Sequence, residues 1–212
     1  MCDSAYAMPV TVAIRSAIEK ALGKKITFYL IDCGLKEQDK RKIVKSIPLS
    51  CEETVTLLFC SLPEGSRGNT ELTREKMDML LVPSVLPVEH VLLLDADVHI
   101  LRDLTDLWST DLEDKLLGAA GDIGHPFGHP GLPKDEQGRN YFTAGVLLLN
   151  LAGIREQLPA FTKMMQERKD TNYKDQDVLN VFFGVEDRGW YEFGIERNAG
   201  GVGGYICCSA VS

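Results

Sequence analysis

The sequence contains 212 residues, is 44% hydrophobic and carries a formal net charge of −8. This length fits one domain, and the apolar fraction is ordinary for a globular protein. The negative charge argues against nucleic acid as a partner, because phosphate contacts need clustered lysines and arginines. No apolar run approaches the length of a membrane span, and no basic segment followed by an apolar one marks a signal peptide. Cytoplasm and Golgi lumen both stay open as locations.

Helices and strands are predicted to alternate along the chain. Apolar periodicity and β-branched runs place helices at 9–22, 36–47, 72–82, 153–169 and from 175 onward. The same criteria place strands at 26–31, 55–60, 91–94, 116–120 and 141–150. This alternation predicts an α/β fold, a Rossmann-like α/β/α sandwich with a mostly parallel central sheet.

A pair of carboxylates, Asp95 and Asp97, follows the apolar strand at 91–94. If the backbone stays extended through Ala96, both side chains face the same volume. Ligands of open α/β sheets bind outside the carboxyl ends of the strands, and two carboxylates suit Mg²⁺ or Mn²⁺. The pattern therefore predicts a metal site. The alternative is that Asp97 caps a turn and that Asp95 is only a strand-end residue.

Three further acidic positions have simple structural explanations. Asp3 is placed to cap the first helix, with Tyr6 packed on that helix. Asp122 follows a short strand and suits a turn before Gly124. Asp175 opens a helix, where capping and the helix dipole alone favour a carboxylate. The residues alone do not decide between these structural explanations and a functional role for each aspartate.

Three segments together resemble the signature segments of family 8 glycosyltransferases, the retaining group that includes bacterial galactosyltransferases and glycogenin. They are L-L-L-D-A-D-V-H-I-L-R-D-L-T-D-L-W, Y-F-T-A-G-V-L-L-L-N and D-Q-D-V-L-N. The resemblance extends over roughly residues 2–198. It implies a GT-A type fold and transfer of a hexose from a UDP-sugar to a hydroxyl of a carbohydrate or glycoconjugate acceptor. It also implies that Asp95 and Asp97 hold Mn²⁺ or Mg²⁺ on the diphosphate.

The resemblance assigns roles to several binding residues. In the family an Asp followed three residues later by Tyr grips the uracil, and Asp3 and Tyr6 match that spacing. Asp122 matches an Asp that reaches the hydroxyls of the donor sugar. A basic residue on the helix before the D-x-D strand contacts the sugar or the diphosphate, and Lys76 is the candidate here. The alternative for Lys76 is a solvated helix face.

The other two segments carry the implied sugar site. In Y-F-T-A-G, small residues let the sugar approach the backbone, a role that Ala144 and Gly145 fit. Thr143 replaces the family's usual Asn, whose side chain reaches a donor hydroxyl. Threonine has less reach, so the identity of the sugar is not fixed. In D-Q-D-V-L-N, the resemblance implies that Asp175 binds sugar hydroxyls and that Gln176 lies beside the anomeric carbon, which makes these two the implied catalytic residues.

The sequence departs from the family pattern at both ends. No strand is predicted before Asp3, and no His follows His129, so the family's late H-x-x-G-x-x-K-P-W segment has no counterpart. We therefore expect an incomplete catalytic domain at residues 1–198, a tail of no assigned role at 199–212, weak UDP binding and little turnover. Two rival functions stay open. One is a UDP-sugar-binding remnant without turnover, and the other is a nucleotidyltransferase, for which no Gly- and basic-rich phosphate loop is present.

Overall fold

The structure is a computed structural model that describes residues 1–21, 23–61, 82–130, 132, 140–167, 175–184, 189–194, 199–200 and 206–208. The chain divides into two compact units. The first unit contains Met1–Leu62, Leu94–Thr110 and Glu196–Ser212, and the second contains Pro63–Leu93 and Asp111–Ile195. The boundary predicted at residue 198 stays a prediction.

Most of the predicted helices and strands are present, with ends shifted by a few residues. The helices are α1 (Ala7–Lys20), α2 (Glu37–Ser46), α3 (Thr105–Trp108), α4 (Leu151–Glu167) and α5 (Asp175–Phe183). The strands are β1 (Ile26–Asp32), β2 (Val55–Ser61), β3 (His90–Leu94), β4 (His99–Ile100), β5 (Leu117–Ala120), β6 (Val146–Asn150), β7 (Tyr191–Phe193), β8 (Ala199–Gly200) and β9 (Ile206–Cys208). A 3-10 turn lies at Leu49–Cys51. The predicted helix at 72–82 lies outside the described residues except for its last residue.

The first unit is built on a parallel pair of strands. β1 and β2 pair in register over seven residues each, from Ile26 opposite Val55 to Asp32 opposite Ser61. The inner face of α1 packs on this pair through Val10, Ile14 and Ile18, which are buried in one cluster with side chains of β1 and α2. The spacing of these positions is the apolar stripe of an amphipathic helix, and their burial confirms the predicted orientation of α1. In the same unit, β4 pairs parallel to β9 and β9 pairs antiparallel to β8.

The second unit contains a four-stranded sheet in the order β3-β6-β5-β7. The predicted α/β class is confirmed, and within this sheet β5 pairs parallel to β7 and antiparallel to β6. The described part of the β5–β6 connection contains no crossover helix, which parallel neighbours need. Residues 117–120 and 146–149 are all buried, as expected for strands covered on both faces.

A clamp at the start of α4 fixes the segment that leads into β3. The Arg155 side chain donates from Nε to Pro83 O at 2.7 Å, and from Nη2 to Leu86 O at 2.7 Å and Val88 O at 2.8 Å. The backbone N–H of Leu151 donates to Glu89 O at 2.7 Å. Three carbonyls between Pro83 and Val88 are therefore held by a single guanidinium, whose planar fork of donors suits this arrangement.

We expect Arg155→Ala to lower the free energy of unfolding by about 2–4 kcal/mol, because three charge-assisted hydrogen bonds are lost and water restores them only in part. Urea unfolding followed by circular dichroism measures the change. The free energy of unfolding of Arg155→Lys should lie between those of the wild type and Arg155→Ala, because a single ammonium group does not reproduce the planar set of donors of the guanidinium. Glu156→Ala, at the exposed neighbouring position, is the control and should stay within about 0.5 kcal/mol. An alanine variant as stable as this control would contradict the clamp.

Candidate active site

The side chain of Gln176, in the first turn of α5, joins two separate parts of the second unit. Its Oε1 accepts a hydrogen bond from the backbone N–H of Ala144 at 3.0 Å, and its Nε2 donates to Asp122 Oδ2 at 2.8 Å. The flipped amide would place an NH₂ group against an N–H and an oxygen against a carboxylate, so these two partners define one orientation. The side chain is half-buried. The sequence-predicted residues Asp122, Ala144 and Gln176 are therefore brought together.

The Asp122 carboxylate stabilises a backbone turn with one oxygen and binds the Gln176 side chain with the other. It follows β5 and Gly121, and its Oδ1 accepts from the backbone N–H groups of Gly124 at 2.8 Å and His125 at 3.0 Å. This is the turn that the simpler explanation predicted. Its other oxygen meets the Gln176 amide. The carboxylate is thus fixed by three hydrogen bonds on one edge of the sheet.

The segment around Thr143 corrects the prediction of a continuous strand at 141–150. β6 begins only at Val146, Phe142 forms an isolated bridge to Gly121, and a bend lies at residues 144–145. The strand is interrupted because the backbone N–H of Ala144 binds the Gln176 side chain instead of a neighbouring strand. Thr143 is half-buried, whereas residues 144 and 145 are buried.

Sequence reasoning missed three residues that complete this arrangement. The Tyr141 hydroxyl donates to the carboxylate of Asp177, and the Asn180 amide pairs with both backbone groups of Phe142, each at 2.8 Å. Asp177 and Asn180 are buried polar residues, and buried polar groups need partners. The signal was the phrase D-Q-D-V-L-N itself, because its second Asp and its Asn share the helix with buried apolar positions. α5 does begin at Asp175 as predicted, but the Asp175 side chain lies outside the described part of the structure. The same holds for Lys76.

The D-x-D pair lies on a turn in the first unit. The backbone N–H of Val98 donates to Asp95 O at 3.4 Å, so the chain turns directly after β3 and the condition of an extended backbone through Ala96 is not met. Aspartate is favoured at the first position of such a turn. Both carboxylates are exposed.

These two carboxylates suit a hard divalent cation by their chemistry. Mg²⁺ is commonly held by one or two carboxylates, with water and substrate phosphates completing its shell. Among the described side chains, no group of three or more His, Cys, Asp or Glu residues is arranged around one point.

The beginning of the chain places Asp3 at the carboxyl end of β1. Cys2 forms a one-residue parallel bridge with Asp32, the last residue of β1. Asp3 Oδ1 accepts from the backbone N–H groups of Ala5 at 2.9 Å and Tyr6 at 3.2 Å, just before α1 begins. Tyr6 is 50% exposed. An exposed aromatic ring near a strand-end carboxylate is compatible with the base-binding role that the resemblance implies.

Asp103, after the D-x-D turn, provides a test of pH dependence. Lys24 Nζ lies 2.6 Å from Asp103 Oδ2, and the N–H and hydroxyl of Thr105 donate to Asp103 Oδ1 at 2.8 and 2.6 Å. The Lys24 contact first, and then the Thr105 bonds, lower the pKa of Asp103 from 3.8 to about 2. A carboxyl whose pKa is lower in the folded state contributes stability above its unfolded pKa and loses it as the pH falls.

We therefore expect Asp103 to stabilise the fold fully above about pH 4 and to lose this contribution between about pH 4 and 2. Because Lys24 is half exposed, we expect about 1 kcal/mol after solvent screening. Asp103→Asn should flatten the decrease in unfolding free energy over this range, measured by urea titrations from pH 5 to 2. Asp114→Asn is the control, since its contact with Lys115 is much more exposed. Parallel curves for the wild type and Asp103→Asn would contradict the assignment.

Comparison with solved structures defines the class of this fold. The active-site mutant of LgtC aligns over 93% of this chain and 72% of its own, with a TM-score of 0.74 and 26% identity. The galactosyltransferase LgtC in complex with donor and acceptor sugar analogs gives a TM-score of 0.70, also at 26% identity, over 90% of this chain and 70% of its own. The fold is therefore the GT-A type of nucleotide-sugar glycosyltransferases.

The sequence comparisons identify the family. The profile described as Glycosyl transferase family 8 matches residues 1–188, and the chain belongs to this family. Glycosyltransferase GlyA of Streptococcus pneumoniae is 30% identical over 180 residues, which cover 82% of this chain and 24% of GlyA. A Haemophilus influenzae protein is 27% identical over 190 residues, or 84% of this chain and 56% of its own length. The chain thus spans little more than half of the Haemophilus relative. Among the helices of the described residues, none is long and apolar enough to cross a membrane.

Proposed function

We propose that this protein transfers a hexose from a UDP-sugar to a hydroxyl of a carbohydrate or glycoconjugate acceptor, with retention at the anomeric carbon. The observation that carries the proposal is the Gln176 amide, which is fixed between Ala144 N–H and the Asp122 carboxylate. Membership of glycosyl transferase family 8 supports it. So does the likeness to LgtC, which has been crystallised with donor and acceptor sugar analogs.

In this proposal the nucleotide is held by residues at the start of the chain, by the D-x-D turn and by one lysine. Asp3 would accept hydrogen bonds from the uracil edge while the exposed Tyr6 ring covers its face. Asp95 and Asp97 would hold Mn²⁺ or Mg²⁺ at the diphosphate. Such an ion neutralises the negative charge that develops on a leaving phosphate. Lys76 is proposed to contact the sugar or the diphosphate.

The sugar is proposed to lie against residues of the second unit. Asp122 and Asp175 would accept hydrogen bonds from its hydroxyls, and the small residues Ala144 and Gly145 would let it approach the backbone, beside Thr143. Gln176 is neutral, so its role is to orient the anomeric centre rather than to exchange a proton. The Asp122 carboxylate accepts three hydrogen bonds already, which suits a positioning group more than a nucleophile. We therefore favour front-face attack by the acceptor, steered by the departing phosphate, over a covalent intermediate.

A screen of UDP-sugars for metal-dependent release of UDP tests the proposed function. Purified protein is incubated with each UDP-sugar and mixed glycan acceptors, with Mn²⁺ or with EDTA. We expect one UDP-sugar to release UDP slowly in the presence of Mn²⁺ and the acceptor, with the sugar recovered on the acceptor. Binding of UDP-sugars with no release under any condition would indicate a binding remnant. Release of pyrophosphate from UTP and a sugar 1-phosphate would indicate a nucleotidyltransferase. Either result would overturn the proposal.

A further inference from the structure

The backbone of Phe142 needs hydrogen-bond partners from outside the sheet. Phe142 lies in an isolated antiparallel bridge to the end of β5, and the bonds of that bridge come from its neighbours. Asp122 N–H donates to Tyr141 O at 2.8 Å, and Thr143 N–H donates to Ala120 O at 3.0 Å. In an antiparallel pair of this kind, the central residue's own N–H and C=O point away from the partner strand. Because Phe142 is fully buried, both groups would be costly if unpaired.

Asn180 supplies both partners with one side chain. Its Oδ1 accepts from Phe142 N–H at 2.8 Å and its Nδ2 donates to Phe142 O at 2.8 Å, as a further strand would. Nδ2 also donates to Gln176 O, one helical turn earlier, at 2.9 Å. Only 6% of Asn180 is exposed, so water does not compete for these bonds. One buried amide therefore links the backbone of Phe142 to the backbone of Gln176.

Asp177 fixes the same segment one residue earlier. The Tyr141 hydroxyl donates to the Asp177 carboxylate, and both residues are buried. Burial first, and then the Asp177 carboxylate, raise the pKa of Tyr141 well above its usual range. The hydroxyl therefore stays protonated and remains the donor at any physiological pH. The Gln176, Asp177 and Asn180 side chains of α5 thus bind residues 144, 141 and 142 in turn.

We propose that Asn180 and Asp177 are positioning residues for Gln176, an inference that rests on the proposed function. Their bonds fix α5 against residues 141–142, and this holds the Ala144 N–H where the Gln176 amide meets it. Without these bonds α5 and the segment would still pack through apolar side chains, but the Gln176 amide would lose its single orientation. Misplacement by about 1 Å is enough to lower a rate by about a hundredfold.

Three variants and a matched control test this role through kcat and KM for the UDP-sugar. Asn180→Ala and Asp177→Ala are expected to lower kcat by about 10- to 100-fold and to change KM by less than about twofold. Asp177→Asn keeps an acceptor for the Tyr141 hydroxyl and should recover most of the kcat. Val178→Ala removes buried apolar volume from the same helix without touching these bonds. It should lose stability with a much smaller change in kcat.

A second measurement separates this inference from the proposed function. The side-chain amide signals of Gln176 in NMR spectra are expected to be sharp in the wild type, shifted or broadened in Asn180→Ala, and unchanged in Val178→Ala. If the wild type transfers no sugar, the proposed function fails and these signals still decide the positioning role. Equal losses of kcat in Asn180→Ala and Val178→Ala, or Gln176 signals that are the same in every variant, would overturn it. Should Asn180→Ala not fold, the comparison of Asp177→Ala with Asp177→Asn carries the test.

Discussion

Replacing Gln176 by alanine is expected to lower kcat for sugar transfer by about 100-fold while changing the affinity for UDP by less than about twofold. The Gln176 amide is held by Ala144 N–H and by Asp122, both on the edge of the second unit that the proposal assigns to the sugar. The uracil contacts are proposed for Asp3 and Tyr6 of the first unit instead. A loss that appears in turnover and not in nucleotide binding is therefore the signature of a group that acts on the sugar.

Steady-state kinetics with the active UDP-sugar and calorimetry with UDP measure the two quantities. Gln38→Ala removes an exposed glutamine from α2 and is the matched control. Gln176→Glu is a second variant, because it keeps an acceptor for Ala144 N–H but places a negative oxygen against Asp122. Like charges at this distance disfavour the ordered arrangement, so its kcat should also decrease. Equal losses of kcat and UDP affinity in Gln176→Ala would instead support a purely structural role at the start of α5.

The sequence predicted the two halves of the proposed sugar site but not their connection. Y-F-T-A-G and D-Q-D-V-L-N were identified separately, and the structure shows that side chains of the second segment bind the backbone of the first. Residues 142 and 180 are 38 positions apart, so neither periodicity nor composition shows that they meet. Residue type did carry a signal that was not used. A buried Asp and a buried Asn on an apolar helix face need polar partners, and the interrupted strand provides them.

The D-x-D segment shows a different limit of sequence reasoning. The apolar run at 91–94 correctly predicted a strand, and the polar residues after it correctly predicted its end. The alternation of Asp95 and Asp97 fits a continuing strand, but aspartates are also common in turns, and the chain turns at residues 95–98. A two-residue spacing is too short to separate these cases. The chemistry of the two carboxylates does not depend on the distinction, because both remain exposed on one short turn.

Replacing Asp95 or Asp97 by asparagine is expected to abolish the metal-dependent part of UDP binding while leaving the fold intact. Each change removes one negative charge from a pair that is proposed to hold Mn²⁺ or Mg²⁺, and charge-assisted contacts contribute about 1.5–3 kcal/mol each. UDP affinity in Mn²⁺ should therefore decrease by about 10- to 100-fold. Asparagine is nearly isosteric, and both positions are exposed, so the unfolding free energy should change by less than about 0.5 kcal/mol.

Calorimetry measures the UDP affinity of each protein in Mn²⁺ and in EDTA. For the wild type, EDTA should lower the UDP affinity to the level of the variants, whereas for Asp95→Asn and Asp97→Asn the two conditions should give nearly the same affinity. Asp106→Asn removes another carboxylate from the first unit, nine residues after Asp97. It should keep the full response to Mn²⁺, because removing a general negative charge is not the same as removing a ligand. If the UDP affinity in Mn²⁺ is unchanged in both Asp95→Asn and Asp97→Asn, these two carboxylates are not the metal ligands. If Asp106→Asn loses the response to Mn²⁺ to the same extent, the loss of UDP affinity reflects net charge and not the loss of a ligand.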